Sequence, residues 1–290
     1  MGLLLEEEFL RRLERLRLIA KARTRGRPGG SHYSPKAGMS LEFTDYKRYS
    51  PGDDFRYVDW KAYGRLDRLL IKVFTREEDL PLYLLVDKSR SMEIGGKFCY
   101  GLKLAAALGY LGLKELDRVG AYPFADHVAG GLPPRSGPKQ IFRLFRYLEE
   151  LRPGGETDLD GALEGFAARR HEAGLAILIS DMLTPSGYER GLAHLLYSRF
   201  EAVVLQLLAA EDLEPRPQGA VRLEDAEGRG RLELEMGERA VRLYQQRLGE
   251  YLARLEEFCL AHEIEYFRIP VTVPLEVAIF EMLGEGALVR

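Results

Sequence analysis

Leu82-Tyr83-Leu84-Leu85-Val86-Asp87-Lys88-Ser89-Arg90-Ser91-Met92 is the stretch on which the reading of this chain turns. An uninterrupted apolar run ends in one carboxylate and two hydroxyls at alternate positions, Asp87, Ser89 and Ser91. A short apolar run of this kind reads as a strand buried on both faces. Hard oxygen donors gathered at a strand's end are what Mg²⁺ or Mn²⁺ prefers. The same residue types also make ordinary turns and helix caps, so the stretch has to be weighed with its surroundings.

Working outward, the pattern alternates from residue 80 onward. Leu82–Val86, Val119–Phe124, Leu175–Ser180, Ala202–Leu208 and Glu265–Ile269 read as strands. Between them Lys97–Leu116, Lys139–Leu151, Leu159–Arg170, Tyr188–Tyr197 and residues 238–261 read as helices, with Thr157-Asp158 as cap candidates for the third. Residues 221–235 read as a hairpin around Gly228-Arg229-Gly230. Apolar strands separated by helices predict a doubly wound, mostly parallel sheet with helices on both faces. Such a sheet binds ligands at the carboxyl ends of its strands, where strand order reverses. Asp87 ends one apolar strand and Asp181, in Ile179-Ser180-Asp181, ends another. If the two strands are neighbours, both carboxylates reach one rim, with Thr157 in a loop beside them.

Upstream, residues 4–21 read as a helix, with Phe9, Leu13 and Leu16 on one face. Arg11 to Arg27 holds eight basic residues and one acidic residue, and Arg27-Pro28-Gly29-Gly30 ends the element. Residues 38–76 form a block with a turn at Pro51-Gly52, a short helical turn at Asp59-Trp60-Lys61 and a strand over Leu69–Arg76. The division expected is an N-terminal region of residues 1–78 and a sheet domain of residues 79–290.

Bulk numbers narrow the classes. The chain has 290 residues, 46% of them hydrophobic, which is ample for a core, and a formal net charge of −3. Residues 1–76 carry 17 Lys/Arg against 10 Asp/Glu, the remainder 25 against 35. A charged partner surface or a division into domains accounts for such asymmetry. Cys99 and Cys259 are far apart with no CxxC pair, so two buried thiols in a reducing compartment are expected. No apolar run approaches the roughly 18 residues of a membrane span. Glu6-Glu7-Glu8 followed by Arg11-Arg12 is not a signal peptide. A cytoplasmic protein is expected.

Asp-x-Ser-x-Ser followed by Thr and then Asp resembles the metal-ion-dependent adhesion site of von Willebrand factor A domains. The resemblance implies that Asp87, Ser89, Ser91, Thr157 and Asp181 hold Mg²⁺ or Mn²⁺. The hydroxyls would supply ligand oxygens, that of Thr157 directly or through water, and the carboxylates would balance charge. One coordination position stays open for an Asp or Glu of a partner. Two departures stand out: Glu156 separates Gly154-Gly155 from Thr157, and Lys88 and Arg90 flank the serines.

Glu42-Phe43-Thr44-Asp45-Tyr46-Lys47-Arg48-Tyr49-Ser50-Pro51-Gly52-Asp53-Asp54-Phe55-Arg56-Tyr57-Val58-Asp59-Trp60-Lys61 is similar to the signature of domain-of-unknown-function family 58, which leads into a von Willebrand A segment. The likeness spans about residues 25–210. Arg48, Asp53, Asp54, Arg56, Asp59 and Trp60 are the marked positions. They are compatible with a partner surface or with a buried polar brace in which Asp53 and Asp54 accept hydrogen bonds and Trp60 is an apolar anchor. The brace is the expectation.

Three functions follow. The resemblance implies a non-enzymatic, metal-dependent interaction protein, partner of a MoxR-type AAA+ ATPase or of its client. The chain has no Gly-x-x-x-x-Gly-Lys-Ser/Thr for nucleotide phosphates. An Mg²⁺-dependent hydrolase or phosphotransferase is the alternative, with Asp87 as nucleophile. Against it, Ser89 stands where related chemistry places a second Asp, and no nucleophile elbow occurs. Nucleic-acid binding through Arg11–Arg27 is the third, and it lacks aromatics for base stacking.

Overall fold

Leu82 to Val86 are all buried because each face of their strand meets a different core. Leu82, Leu84 and Val86 point into one apolar cluster, Tyr83 and Leu85 into the other. The period of two recurs in the neighbouring strands: Ile177, Ile179, Val203, Leu205 and Leu207 face the first cluster, and Ala176, Leu178, Ala202 and Val204 the second. Fully burying one such side chain stabilises by about 1.5–3 kcal/mol. A central strand with both faces covered is therefore a large part of what holds the sheet together.

A computed structural model describes residues 8–9, 11–15, 33–34, 41–50, 54, 58–66, 68–77, 81–114, 117–169, 171–215, 219–224 and 231–285. In chain order the elements are helical residues 8–9 and 11–15 (α1), β1 (Tyr33–Ser34), β2 (Leu41–Arg48), α2 (Trp60–Leu66), β3 (Leu70–Glu77) and β4 (Pro81–Asp87). A 3-10 segment, Arg90–Gly96, leads into α3 (Lys97–Lys114), β5 (Arg118–Phe124), β6 (Leu132–Arg135), α4 (Pro138–Glu150), α5 (Leu159–Ala167) and β7 (Leu175–Ser180). Then come α6 (Glu189–Tyr197), β8 (Glu201–Leu208), α7 (Ala210–Leu213), β9 (Gly219–Glu224), β10 (Arg231–Met236), α8 (Glu238–Ala261), β11 (Glu265–Pro270) and α9 (Leu275–Glu285). Two compact units divide the chain, Met1–Gly26 with Leu80–Val289, and Arg27–Asp79.

In the larger unit a six-stranded sheet has the order β11-β8-β7-β4-β5-β6. All pairings are parallel except β5 with β6, which is antiparallel and forms one edge. Helices α3, α4 and α9, with Phe9 and Leu13 of α1, cover one face; α5, α6 and the C-terminal half of α8 cover the other. This is a doubly wound, mostly parallel α/β architecture with helices on both faces, as the sequence predicts. Strand β4 and strand β7 are direct neighbours, with Val86 opposite Ile179. From β4 the chain runs to β5 on one side and then to β7 on the other, so the order reverses beside β4. Strands β9 and β10 form a separate antiparallel pair; the tip of the expected hairpin, residues 225–230, lies outside the described residues.

In the smaller unit β3 is flanked by β1 and β2 in an antiparallel sheet with a bulge between Phe43 and Asp45. Val58, Asp59, Ala62 and Ile71 are its buried described residues. No described helix is long and apolar enough to cross a membrane. The thiols differ from expectation: Cys259 is buried in α8, but Cys99 is exposed because it lies on the outer face of the first turn of α3.

Candidate functional site

Asp87 closes β4 and is fully buried, so its carboxylate needs partners. Oδ1 accepts from the Ser89 backbone N–H at 2.8 Å, and Oδ2 from the Ser180 hydroxyl at 2.6 Å. The Ser180 oxygen in turn accepts from the Met182 N–H at 2.9 Å. Strand adjacency alone brings Ser180 here, since it follows Ile179 in the strand beside Asp87. Ser89 Oγ and Ser91 Oγ share a hydrogen bond of 3.0 Å. Ser89 is buried and Ser91 partly exposed, so the pair links the buried carboxylate to the surface.

Asp181 is also fully buried. Its Oδ1 accepts from the Leu183 N–H at 3.0 Å, and its Oδ2 from the Lys97 ammonium at 2.8 Å. The same ammonium lies 2.9 Å from Asp212 Oδ2. The main chain of Asp181 is held from the next strands: Gln206 Nε2 donates to its carbonyl at 2.9 Å, and Tyr266 donates to Gln206 Oε1 at 2.5 Å. Met182, next in sequence, has φ 60°, and Tyr251 of α8 donates to its carbonyl. A left-handed non-glycine residue is uncommon, and these bonds hold it there.

The Thr157 loop joins the same rim. Lys88 O accepts from Gly154 N at 2.6 Å and Gly155 O from Arg90 N at 3.2 Å, while Asp158 N donates to Ala125 O at 3.2 Å. Gly155 has φ 99°, open to glycine at little cost. Glu156 is exposed and Thr157 buried, so the additional residue bulges outward and the hydroxyl stays inside. Asp158 caps α5 by accepting from Gly161 N at 3.1 Å. Of the basic flanks, the Lys88 ammonium reaches the Gly154 carbonyl at 3.2 Å and Arg90 is exposed.

Electrostatics follow from burial. The Asp87 carboxyl is pushed up to about 7, first by desolvation and then by the charge of Asp181, against the bonds from Ser180 and Ser89. Burial pulls the Lys97 ammonium down, but the charge of Asp181 and the bonds to Asp181 and Asp212 outweigh it and raise the group. Lys97 was not among the sequence candidates. A signal was there: a Lys opening a helix opposes the helix dipole, so its charge must serve something else. Gly95 explains how it arrives. With φ 61°, its Cα lies so close to Ala209 that a Cβ would come within 2.2 Å of the Ala209 Cβ, and this contact sets the start of α3 against the end of β8.

Among the described residues no three His, Cys, Asp or Glu side chains gather to hold a metal ion. A cation here would depend on hydroxyl oxygens. The set fits a hard divalent ion: every donor is oxygen, two carboxylates meet at one rim, and the hydroxyl pair presents lone pairs beside them.

The marked residues of the smaller unit behave differently. Asp59 is the N-cap of α2: Oδ1 accepts from Lys61 N at 2.9 Å and Ala62 N at 3.0 Å, and Oδ2 from the Tyr46 hydroxyl at 2.7 Å. Trp60 is not the buried anchor expected. It is 62% exposed and meets Tyr63 edge-on, because α2 buries only Ala62. Arg48 and Asp54 are exposed; Asp53 and Arg56 lie outside the described residues.

A protein of Mycobacterium tuberculosis described as uncharacterized is 28% identical over 222 residues, 74% of this chain and 70% of the relative. Among solved structures, the conserved hypothetical protein BatB from Bacteroides thetaiotaomicron matches with TM-score 0.45 and 16% identity, over 72% of this chain and 98% of that one. A von Willebrand factor type A protein from Catenulispora acidiphila matches with TM-score 0.36 and 14% identity, over 46% of this chain and 34% of that one. The family described as "Protein of unknown function DUF58" matches residues 45–251, and the chain belongs to that family.

Proposed function

We propose that this protein is a non-enzymatic, metal-dependent interaction module that grips an acidic side chain of a protein partner. The observation that carries the reading is the meeting of Asp87, the Ser89–Ser91 hydroxyl pair and Asp181 at the switch point of the sheet. Asp87, Ser89, Ser91, Thr157 and Asp181 would hold Mg²⁺ or Mn²⁺, and the ion when bound supplies a positive centre for an incoming carboxylate. The protein's own groups do the rest. Ser180 and the Ser89 amide fix Asp87, and the Thr157 loop is tied to residues 88 and 90. Of the described histidines, His194 pairs with Glu164 on α5 and His262 with the Phe258 carbonyl on α8, while His127, in the loop after β5, is exposed and bonds Asp126, which favours binding over acid–base chemistry. A MoxR-type AAA+ ATPase or its client is the partner proposed, from the family resemblance.

Thermal unfolding with and without Mg²⁺ or Mn²⁺, against Asp87→Ala, tests the reading. An ion that binds only the folded form raises stability by about 2.7 kcal/mol at a hundredfold excess over Kd. A saturable rise lost in Asp87→Ala is expected. No rise at millimolar ion in the wild type, and none when Lys97 is replaced by Met, would sink the reading. Metal-dependent co-purification with a MoxR-type ATPase, abolished by EDTA, tests the partner.

A further inference from the structure

Lys97 is a lysine in a position that two local effects disfavour. Its side chain is 1% exposed, and an unpaired buried ammonium costs several kcal/mol. It also opens α3, where the helix dipole repels a positive charge. What holds it is the pair of carboxylates from the ends of adjacent strands, Asp181 after β7 at 2.8 Å and Asp212 after β8 at 2.9 Å. Asp212 is itself fixed by accepting from Ala209 N at 2.8 Å. The ammonium thus occupies one oxygen of a carboxylate that the metal reading assigns to the ion. The hydroxyl pair Ser89–Ser91 and Asp87 come from the end of β4, on the other flank of Asp181. Fully ionised, Asp87, Asp181 and Asp212 against Lys97 leave an excess of about two negative charges, the complement of one divalent ion.

We propose that Lys97 sets the charge of the metal site: it is a resident cation that keeps the rim assembled without metal and, by competing for Asp181, limits the affinity for a divalent ion. This inference rests on the metal reading above. It gives that reading a regulatory sense, because an ion held weakly by the protein alone is held firmly once a partner's carboxylate completes it. Metal and partner then bind cooperatively, each raising the affinity of the other.

Charge-changing variants of opposite sign separate this role from a structural one. Lys97→Met keeps the length of the side chain and raises the negative excess; Asp212→Asn keeps the acceptor for Ala209 N–H and lowers it. Mn²⁺ binding followed by electron paramagnetic resonance, with EDTA thermal melts to establish folding, reads both. Lys97→Met is expected to melt lower in EDTA and to bind Mn²⁺ about tenfold tighter, and Asp212→Asn about tenfold weaker. Lys and Asp with merely structural roles would lower both melting temperatures and leave the two Kd values unsplit. Binding seen in Lys97→Met but not in the wild type also supports the inference. Wild-type binding that Lys97→Met leaves unchanged or weakens overturns it alone. No Mn²⁺ binding by the wild type or either variant overturns it together with the metal reading. Should Lys97→Met not fold, Asp212→Asn decides: an unchanged Kd overturns the proposal.

Discussion

Asp59 in the smaller unit and Asp181 in the larger are both buried aspartates at the end of a structural element, and they are satisfied in opposite ways. Asp59 takes two bonds from backbone amides two and three residues ahead and one from Tyr46. Two of these partners are local amides that come with the helix it caps, and the third is a hydroxyl from the nearby strand β2. Asp181 takes one local amide and then an ammonium 84 residues away, itself shared with Asp212. The first arrangement ends a helix. The second gathers charge from three parts of the chain, which a helix end does not need. A buried carboxylate is therefore best judged by the sequence distance and charge of its partners.

The comparison breaks if the two sites respond alike. Asp181→Ala strands Lys97 beside a single carboxylate, and breaking a buried pair costs about 3–5 kcal/mol, read as a lower urea midpoint. Ser180→Ala removes the donor to Asp87 Oδ2 and is expected to cost about 1–3 kcal/mol while weakening the response to Mg²⁺. Asp59→Ala removes a cap, costing about 0.5–2 kcal/mol, and is expected to leave the Mg²⁺ response intact. An Mg²⁺ response lost in Asp59→Ala would falsify the separation. The smallest effect sharpens it on the thiols. In the native protein at pH 8 Cys99 should take a maleimide while Cys259, buried and with its thiol pushed up to about 12, stays unlabelled until denaturant is added. Two labels in the native state, counted by mass spectrometry, would contradict the packing of α8.

Much of the larger unit was legible because its signals are periodic. The helix expected over residues 238–261 and the strand over Leu175–Ser180 agree with the structure end for end, and β4 and β7 are neighbours as a doubly wound order requires. What escaped was non-periodic. Strand β6 is Leu132-Pro133-Pro134-Arg135, and two prolines argue against a strand unless it lies at an edge, as this one does. Strand β2 falls inside the block of residues 38–76, and α9 lies beyond the last strand that the sequence predicts. Helix α5 stops at Ala167, short of the expected Arg170. At the rim, Asp87 and Asp181 are legible from their strands and Lys97 only as a cation set against a helix dipole, whereas the roles of Ser180 and Asp212 come from pairings across the fold. Trp60 failed as an anchor because a seven-residue helix that buries one alanine leaves most of its surface to solvent.

The bonds that fix the Asp181 main chain run sideways across the sheet, from Gln206 to Tyr266, whose oxygen also accepts from Arg268 Nε at 3.1 Å. If the rim is the partner site proposed above, a partner would meet a main chain already fixed, and recognition would proceed as rigid docking with little ordering left for the moment of contact. Encounter rates should sit in the ordinary range of about 10⁵–10⁷ M⁻¹ s⁻¹, and substitutions at the rim should change how long the complex lasts rather than how fast it forms.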